Sequence, residues 1–218
     1  MNSLFEKPQV LHPIQTLKDF FVSWKWACQR VRKGYCDRDL YSVSDWFIKM
    51  LPDMIEEIKK NKHGVPTSIF DEAIEEFGLN PKEYWNVSHE AHYDIHTQIE
   101  ACAMNKWETI LARLTFLLRE AKEETCSKEN PFAEQYNLIR KEFKRKYGEW
   151  GEKLQTAEEK DAAKRVGNHR VYFPADLPEY QEICECYFRE EQKLYDYREK
   201  CVKEALELFS KWFYSLAI

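Results

Sequence analysis

Glycine is scarce in this 218-residue chain. It has six, with eight prolines and no low-complexity tract. With 44% hydrophobic and 33% charged residues, so little turn-forming material excludes collagen-like, disordered and many-stranded β architectures and points to helix. Long apolar runs are absent too: none approaches the roughly 18 residues of a membrane-spanning helix. The opening M-N-S-L-F-E-K-P-Q lacks the charged-then-apolar order of a secretion signal. No internal repeat, glycine-rich phosphate loop, G-x-S-x-G elbow or zinc-ribbon spacing is present. Positive charge falls short overall, and a net −5 argues against a protein built mainly to neutralise phosphates.

Seven cysteines, an odd number, stand mostly inside apolar helical patterns, so they read as reduced thiols rather than a disulfide framework. The expectation is a soluble, cytoplasmic protein with no membrane partner. Charge is unevenly spread. Acids exceed bases by roughly seven over residues 51–100, whereas residues 138–170 carry an excess of about four bases.

The apolar spacings predict a mainly α, single-domain helical bundle over residues 1–218, with long central and C-terminal helices and little or no sheet. After an N-terminal arm, 1–13, a first helix carries Phe20, Phe21, Trp24, Ala27, Cys28 and Val31 on one face and ends at Gly34. A second opens near Ser44, with a kink or a fresh start at Pro52, and stops at His63-Gly64-Val65-Pro66. Thr67 or Ser68 starts a short helix closed by Gly78, and Asn80-Pro81-x-Glu83 is a further N-terminal signature. The central helix spans about 88–124, and Asn130-Pro131 opens another. Residues 152–178 are expected to form an exposed excursion or loop, with 169–173 as the one extended stretch. A final helix of about 179–215 follows. Trp24, Trp46, Trp107 and Trp212 are expected in the core.

His89, His92, His96 and Glu100 recur at helical spacing, as imidazoles and a carboxylate sharing a zinc or other divalent transition metal would. The plainer reading is a polar helix start, with no cofactor. Arg30, Arg32 and Arg38 flank Gly34 and are the ligand or anion candidates, although a helix C-terminus repels anions and these bases suit the helix's last carbonyls. Lys144 and Arg145 belong to a basic, aromatic-interleaved stretch over 140–170. A solvated face is favoured there over a nucleic-acid groove. Trp85 and Trp150 lie outside the apolar stripes and are candidates, with Lys144 and Arg145, for an interaction surface.

Several of these features resemble a group of bacteriophage-encoded hypothetical proteins: Arg32-x-Gly34-Tyr35-x-Asp37-x-Asp39 with Trp46, His63-Gly64-x-Pro66, Trp107-x-x-Ile110-Leu111-x-Arg113, and Glu204-Ala205-Leu206-x-Leu208-Phe209-x-Lys211-Trp212-Phe213. The resemblance brings no catalytic residues. It implies a viral product acting in the host bacterial cytosol, and the expected function is a non-enzymatic accessory protein that binds a host or phage macromolecule, such as a bacterial defence component. A metal-dependent enzyme at the histidine cluster and a sponge for a small signalling nucleotide at the three arginines are the alternatives.

Overall fold

Helix ends in this chain are set by small groups of residues acting on the backbone, and the third helix shows how. Gly78 takes φ +74, its amide donates to Glu75 O (2.9 Å), and the next amide, Leu79, reaches back to Ile74 O (3.2 Å). Those two bonds are the 5→2 and 6→1 pair that satisfies the last carbonyls of a helix closed by glycine. Asn80 then begins the next helix, its Oδ1 accepting the Lys82 amide (3.0 Å).

A computed structural model describes residues 13–61, 64–86, 93–167 and 170–216. Among them lie eight α-helices: α1 (Pro13–Lys33), α2 (Val43–Asn61), α3 (Thr67–Glu76), α4 (Pro81–Asn86), α5 (Tyr93–Glu120), α6 (Ala133–Tyr147), α7 (Ala157–Val166) and α8 (Pro178–Trp212). Three single 3-10 turns, Asp39–Tyr41, Pro174–Asp176 and Phe213–Ser215, join or extend them, and no strand occurs among the described residues. The mainly α expectation is borne out. The N-terminal arm falls outside the described residues except for Pro13, as do His63, His169, Ala217 and Ile218.

Within the single domain expected over 1–218, residues group into two compact units, Met1–Thr115 with Tyr214–Ile218, and Phe116–Phe213. The first buries Leu51, Ile55, Ile69, Ile74, Ile99 and Trp107, contributed by α2, α3 and α5. In the second, Ile139 and Phe143 of α6 cluster with Tyr180 and Cys184 of α8. Tyr136 of α6 stacks on Tyr187 of α8, ring centroids 4.0 Å apart.

The structure refines or corrects several expectations. α2 is one continuous helix through a buried Pro52, not a new start there. The 152–178 excursion contains helix α7, begun by a reciprocal capping box between Thr156 and Glu159 and closed by Gly167 at φ +72. Arg170–Phe173 carries neither helix nor strand, Phe173 is extended (φ −117, ψ 161), and the Tyr172 amide is bonded to the Trp150 carbonyl (3.0 Å). Most consequentially, the apolar face of α1 is not core: Phe20 is 61% exposed, Phe21 66%, Trp24 63% and Val31 91%. Trp107 and Trp212 are buried as expected, and Trp46 is half-buried.

The second unit turns on a buried carboxylate that the spacings did not single out. Glu120, last residue of α5 and 3% exposed, accepts the Ser127 amide (3.0 Å), the Ser127 hydroxyl (2.8 Å) and the Tyr197 hydroxyl of α8 (2.9 Å). Burial alone would push its carboxyl up, but these donors together outweigh burial and hold it below the usual range. Burial and the Glu120 hydrogen bond push the Tyr197 phenol upward, so it stays a donor. Tyr197→Phe removes one bond to a charged acceptor and should lower unfolding stability by about 1–2 kcal/mol in urea titrations, with helical content unchanged.

Candidate functional site

Four groups of polar and aromatic side chains could carry function, and in three of them the groups mainly hold the fold. At the end of α1, the Gly34 amide closes on Arg30 O (2.9 Å) with Gly34 at φ +81. The chain then turns so that Asp39, 8% exposed, meets Arg30 through two bonds, Nη2 to Oδ1 at 2.6 Å and Nε to Oδ2 at 3.1 Å. The Cys36 amide also donates to Asp39 Oδ2 (2.8 Å). Chiefly because of the Arg30 hydrogen bonds, and despite burial, the Asp39 carboxyl is pulled down to about 2. Beside it, Lys25 and Gln29 both hold Asp37 (2.9 Å each). The three arginine candidates thus part company. Arg30 is bound to Asp39, Arg38 lies 5.5 Å from the Trp26 ring centroid, and Arg32 is exposed.

His96 stacks against Tyr84 with centroids 6.1 Å apart, and its Nδ1 is hydrogen-bonded to the Tyr84 hydroxyl. Phe70 and Trp85 complete the aromatic group, and Trp85 Nε1 donates to Asp71 (2.8 Å). Burial first, and the negative charge of Glu100 second, push the Tyr84 phenol up. Among the described residues no three His, Cys, Asp or Glu side chains gather as a metal site. His89 and His92 lie outside the described residues. The third group, the Glu120 clasp, is internal.

The fourth group faces outward. The last turn of α6 carries Lys144, Arg145 and Lys146, and after Tyr147 the chain runs through Gly148, Glu149, Trp150 and Gly151. Gly148 at φ +95 and Gly151 at φ +70 fold this segment back, with the Lys153 amide bonded to Tyr147 O (3.1 Å) and Leu154 to Gly151 O (2.9 Å). A Cβ on Gly151 would stand 2.6 Å from Tyr172 Cβ and 3.3 Å from Phe143 Cζ, so the turn is pressed against the α6–α8 core. Trp150 rides on top: its carbonyl holds the Tyr172 amide, its amide donates to Glu152 (3.3 Å), and its side chain is 54% exposed. Exposed Lys144 and Arg145 precede it, Lys144 paired with Glu149. Three of the four interaction-surface candidates thus fall on one exposed stretch, residues 144–150. Trp85 lies in the other unit.

The basic face over 140–170 is partly neutralised from within. Besides Lys144, Lys146 bonds Glu142 (2.6 Å), Arg170 bonds Glu159 (3.0 Å) and Lys164 bonds Asp161 (3.4 Å). Arg140, Lys141 and Arg145 remain exposed on α6. The support under Trp150 was missed at the level of sequence. Gly148 and Gly151, three residues apart, are compatible with a bend, but nothing local announces that Tyr172 lies beneath it.

Comparison of this chain with protein-family models, curated proteins and solved structures gives no match.

Two outcomes follow from this geometry. Gly151→Ala combines a strained positive φ with a close contact to Tyr172 and should cost about 2–4 kcal/mol, measured by urea unfolding. For Asp39, the folded carboxyl titrates at about 2 against an ordinary 3.8. Its contribution of about 2 kcal/mol is complete above the ordinary value and is lost as pH falls through 3.8 towards 2. The stability gap between wild type and Asp39→Asn should shrink by about that amount between pH 5 and pH 2.

Proposed function

We propose that this chain is a non-enzymatic, phage-encoded accessory protein that docks on a host or phage protein in the bacterial cytosol through the corner formed by Lys144, Arg145 and Trp150. The observation that carries the reading is Trp150 itself. A large ring stands exposed on a turn whose backbone is pinned at both its amide and its carbonyl. Tryptophan is the side chain most favoured at binding hot spots, and a pinned turn has already lost the freedom that binding would otherwise remove. With Lys144 paired to Glu149, exposed Arg145 is the base that gives the corner its positive edge, suited to an acidic group on the partner.

A protein partner fits better than nucleic acid, because four bases of the 140–170 stretch are engaged with carboxylates of their own unit. The viral origin rests on the resemblance of the Arg32–Asp39, Trp107–Arg113 and Glu204–Phe213 stretches to phage proteins. Within that setting the role is interference with a bacterial defence component, carried out by occupying its surface.

Affinity capture from phage-infected cells, run in parallel with wild type and Trp150→Ala, tests this. A specific partner should be recovered with wild type and fall by roughly 30-fold or more with Trp150→Ala, the size of a hot-spot loss. Lys144→Glu with Arg145→Glu should weaken capture less, and neither change should shift the melting temperature. A partner retained by Trp150→Ala, or no enrichment over control, removes the proposal.

A further inference from the structure

The exposed face of α1 is the largest departure from ordinary surface chemistry in the described chain. Phe20, Phe21 and Trp24 each leave more than three-fifths of their surface open, and Val31 is almost wholly open. With aromatic side chains presenting roughly 150–250 Å² each, the three rings alone expose on the order of 400 Å². That is in the range of the largest apolar patch a monomer carries, and such patches commonly have a use. At 100° per residue, Phe20, Trp24, Cys28 and Val31 fall within about 80° of one another around the helix, and Phe21 borders them. Lys25 and Arg32, seven residues apart, line one side of this stripe and are exposed; Lys25 is paired with Asp37 (2.9 Å), so Arg32 carries most of the border's charge.

We propose that α1 lies in the headgroup region of an anionic lipid surface, with its aromatic stripe inserted and its basic border against lipid phosphates. An amphipathic helix with Trp and Phe on one side and Lys and Arg beside them has the chemistry of an interfacial helix. Charge supports the assignment. Between residues 13 and 43 bases outnumber acids six to three; the pairs Lys25–Asp37 and Arg30–Asp39 cancel within that count, which leaves an excess of three bases. Tyr35 and Tyr41, exposed in the connection that follows, are rings of the kind that sit at headgroup depth.

A second copy of the chain fits this face less well. In an antiparallel two-fold pairing this border would meet its own copy, bringing two like-charged edges together with only Asp37, already bound to Lys25, to offset them. A protein groove fits less well too. Protein interfaces supply about one hydrogen bond per 100–200 Å², whereas the open stripe of Phe20, Phe21, Trp24, Cys28 and Val31 offers little beyond one indole N–H and a thiol. Lipid tails require none. The helix lies on the bilayer and does not span it, in keeping with the lack of any helix among the described residues long and apolar enough to cross.

Co-sedimentation of the full chain with phosphatidylcholine vesicles, with and without one part in about four of phosphatidylglycerol, tests the proposal. Partitioning on the anionic vesicles should exceed that on neutral ones by roughly tenfold or more, each cation at the surface contributing about fivefold. Phe20→Ser with Trp24→Ser should abolish sedimentation, and Arg32→Ala should lower it by about fivefold, both with unchanged helical content because the sites are exposed. Failure to sediment with anionic vesicles overturns the proposal, as does equal sedimentation with both vesicle types. A concentration-dependent dimer without lipid, returned to monomer by the Phe20/Trp24 double change, also overturns it and assigns the face to self-association. The Trp150 corner plays no part in this measurement, so its outcome is independent of the docking experiment.

Discussion

One buried carboxylate decides how the N-terminal helix faces the rest of its unit. Asp39 is almost closed to solvent and is satisfied by two bonds from Arg30 and one from the Cys36 amide. A charge so placed is costly unless fully partnered, so Arg30 must point inward. Gln29 and Lys25 add bonds to Asp37, and Trp26 turns towards Arg38. Once these positions face the connection after Gly34, the helical repeat sends Phe20, Trp24 and Val31 the other way. The exposed stripe is therefore imposed by a polar clasp.

Glu120 plays a corresponding part in the second unit. Its carboxylate gathers the chain after α5 through Ser127 and ties it to α8 through Tyr197. Lys128 sits over the Tyr197 ring at 3.4 Å from its centroid, covering the clasp from one side. In both units an apolar core supplies the bulk of burial, while a single acid selects one arrangement of the elements around it. The outward-facing groups, Trp150 and the α1 stripe, are left exposed by arrangements that these acids and two glycines enforce.

Helix ends and the central stripe were legible because their signals are local. Gly34, Gly78, Asn80 and Pro81 act on backbone groups within a few residues of themselves. Ile99, Trp107, Leu114 and Leu117 repeat with the period of a helix and are buried. The orientation of α1 was illegible because periodicity names an apolar face without saying what will cover it, and the Asp39 pairing that settles the matter joins residues nine apart across a turn. In the sequence α7 looks like an excursion because its apolar stripe is thin. A capping box and one buried alanine, Ala163, suffice to place it. His96 kept its place in the histidine series, yet its hydrogen-bonded partner is Tyr84, twelve residues earlier and on another helix.

Asn130 couples two events that are separate in most helical proteins. Its Oδ1 accepts the Phe132 amide (2.9 Å) and shapes the turn into α6, while its Nδ2 donates to Tyr187 O (3.0 Å) and Glu191 Oε1 (2.8 Å), both on α8 and about sixty residues away. A local turn is thus completed by a distant helix, and the entropy of closing a long loop is spent at the same step that sets where α6 begins. The start of α6 and the middle of α8 are thereby joined through one side chain, so loss of the Asn130 amide releases both at once. The chain between them, with Trp150 at its bend, is thus a loop whose base is closed through one asparagine side chain.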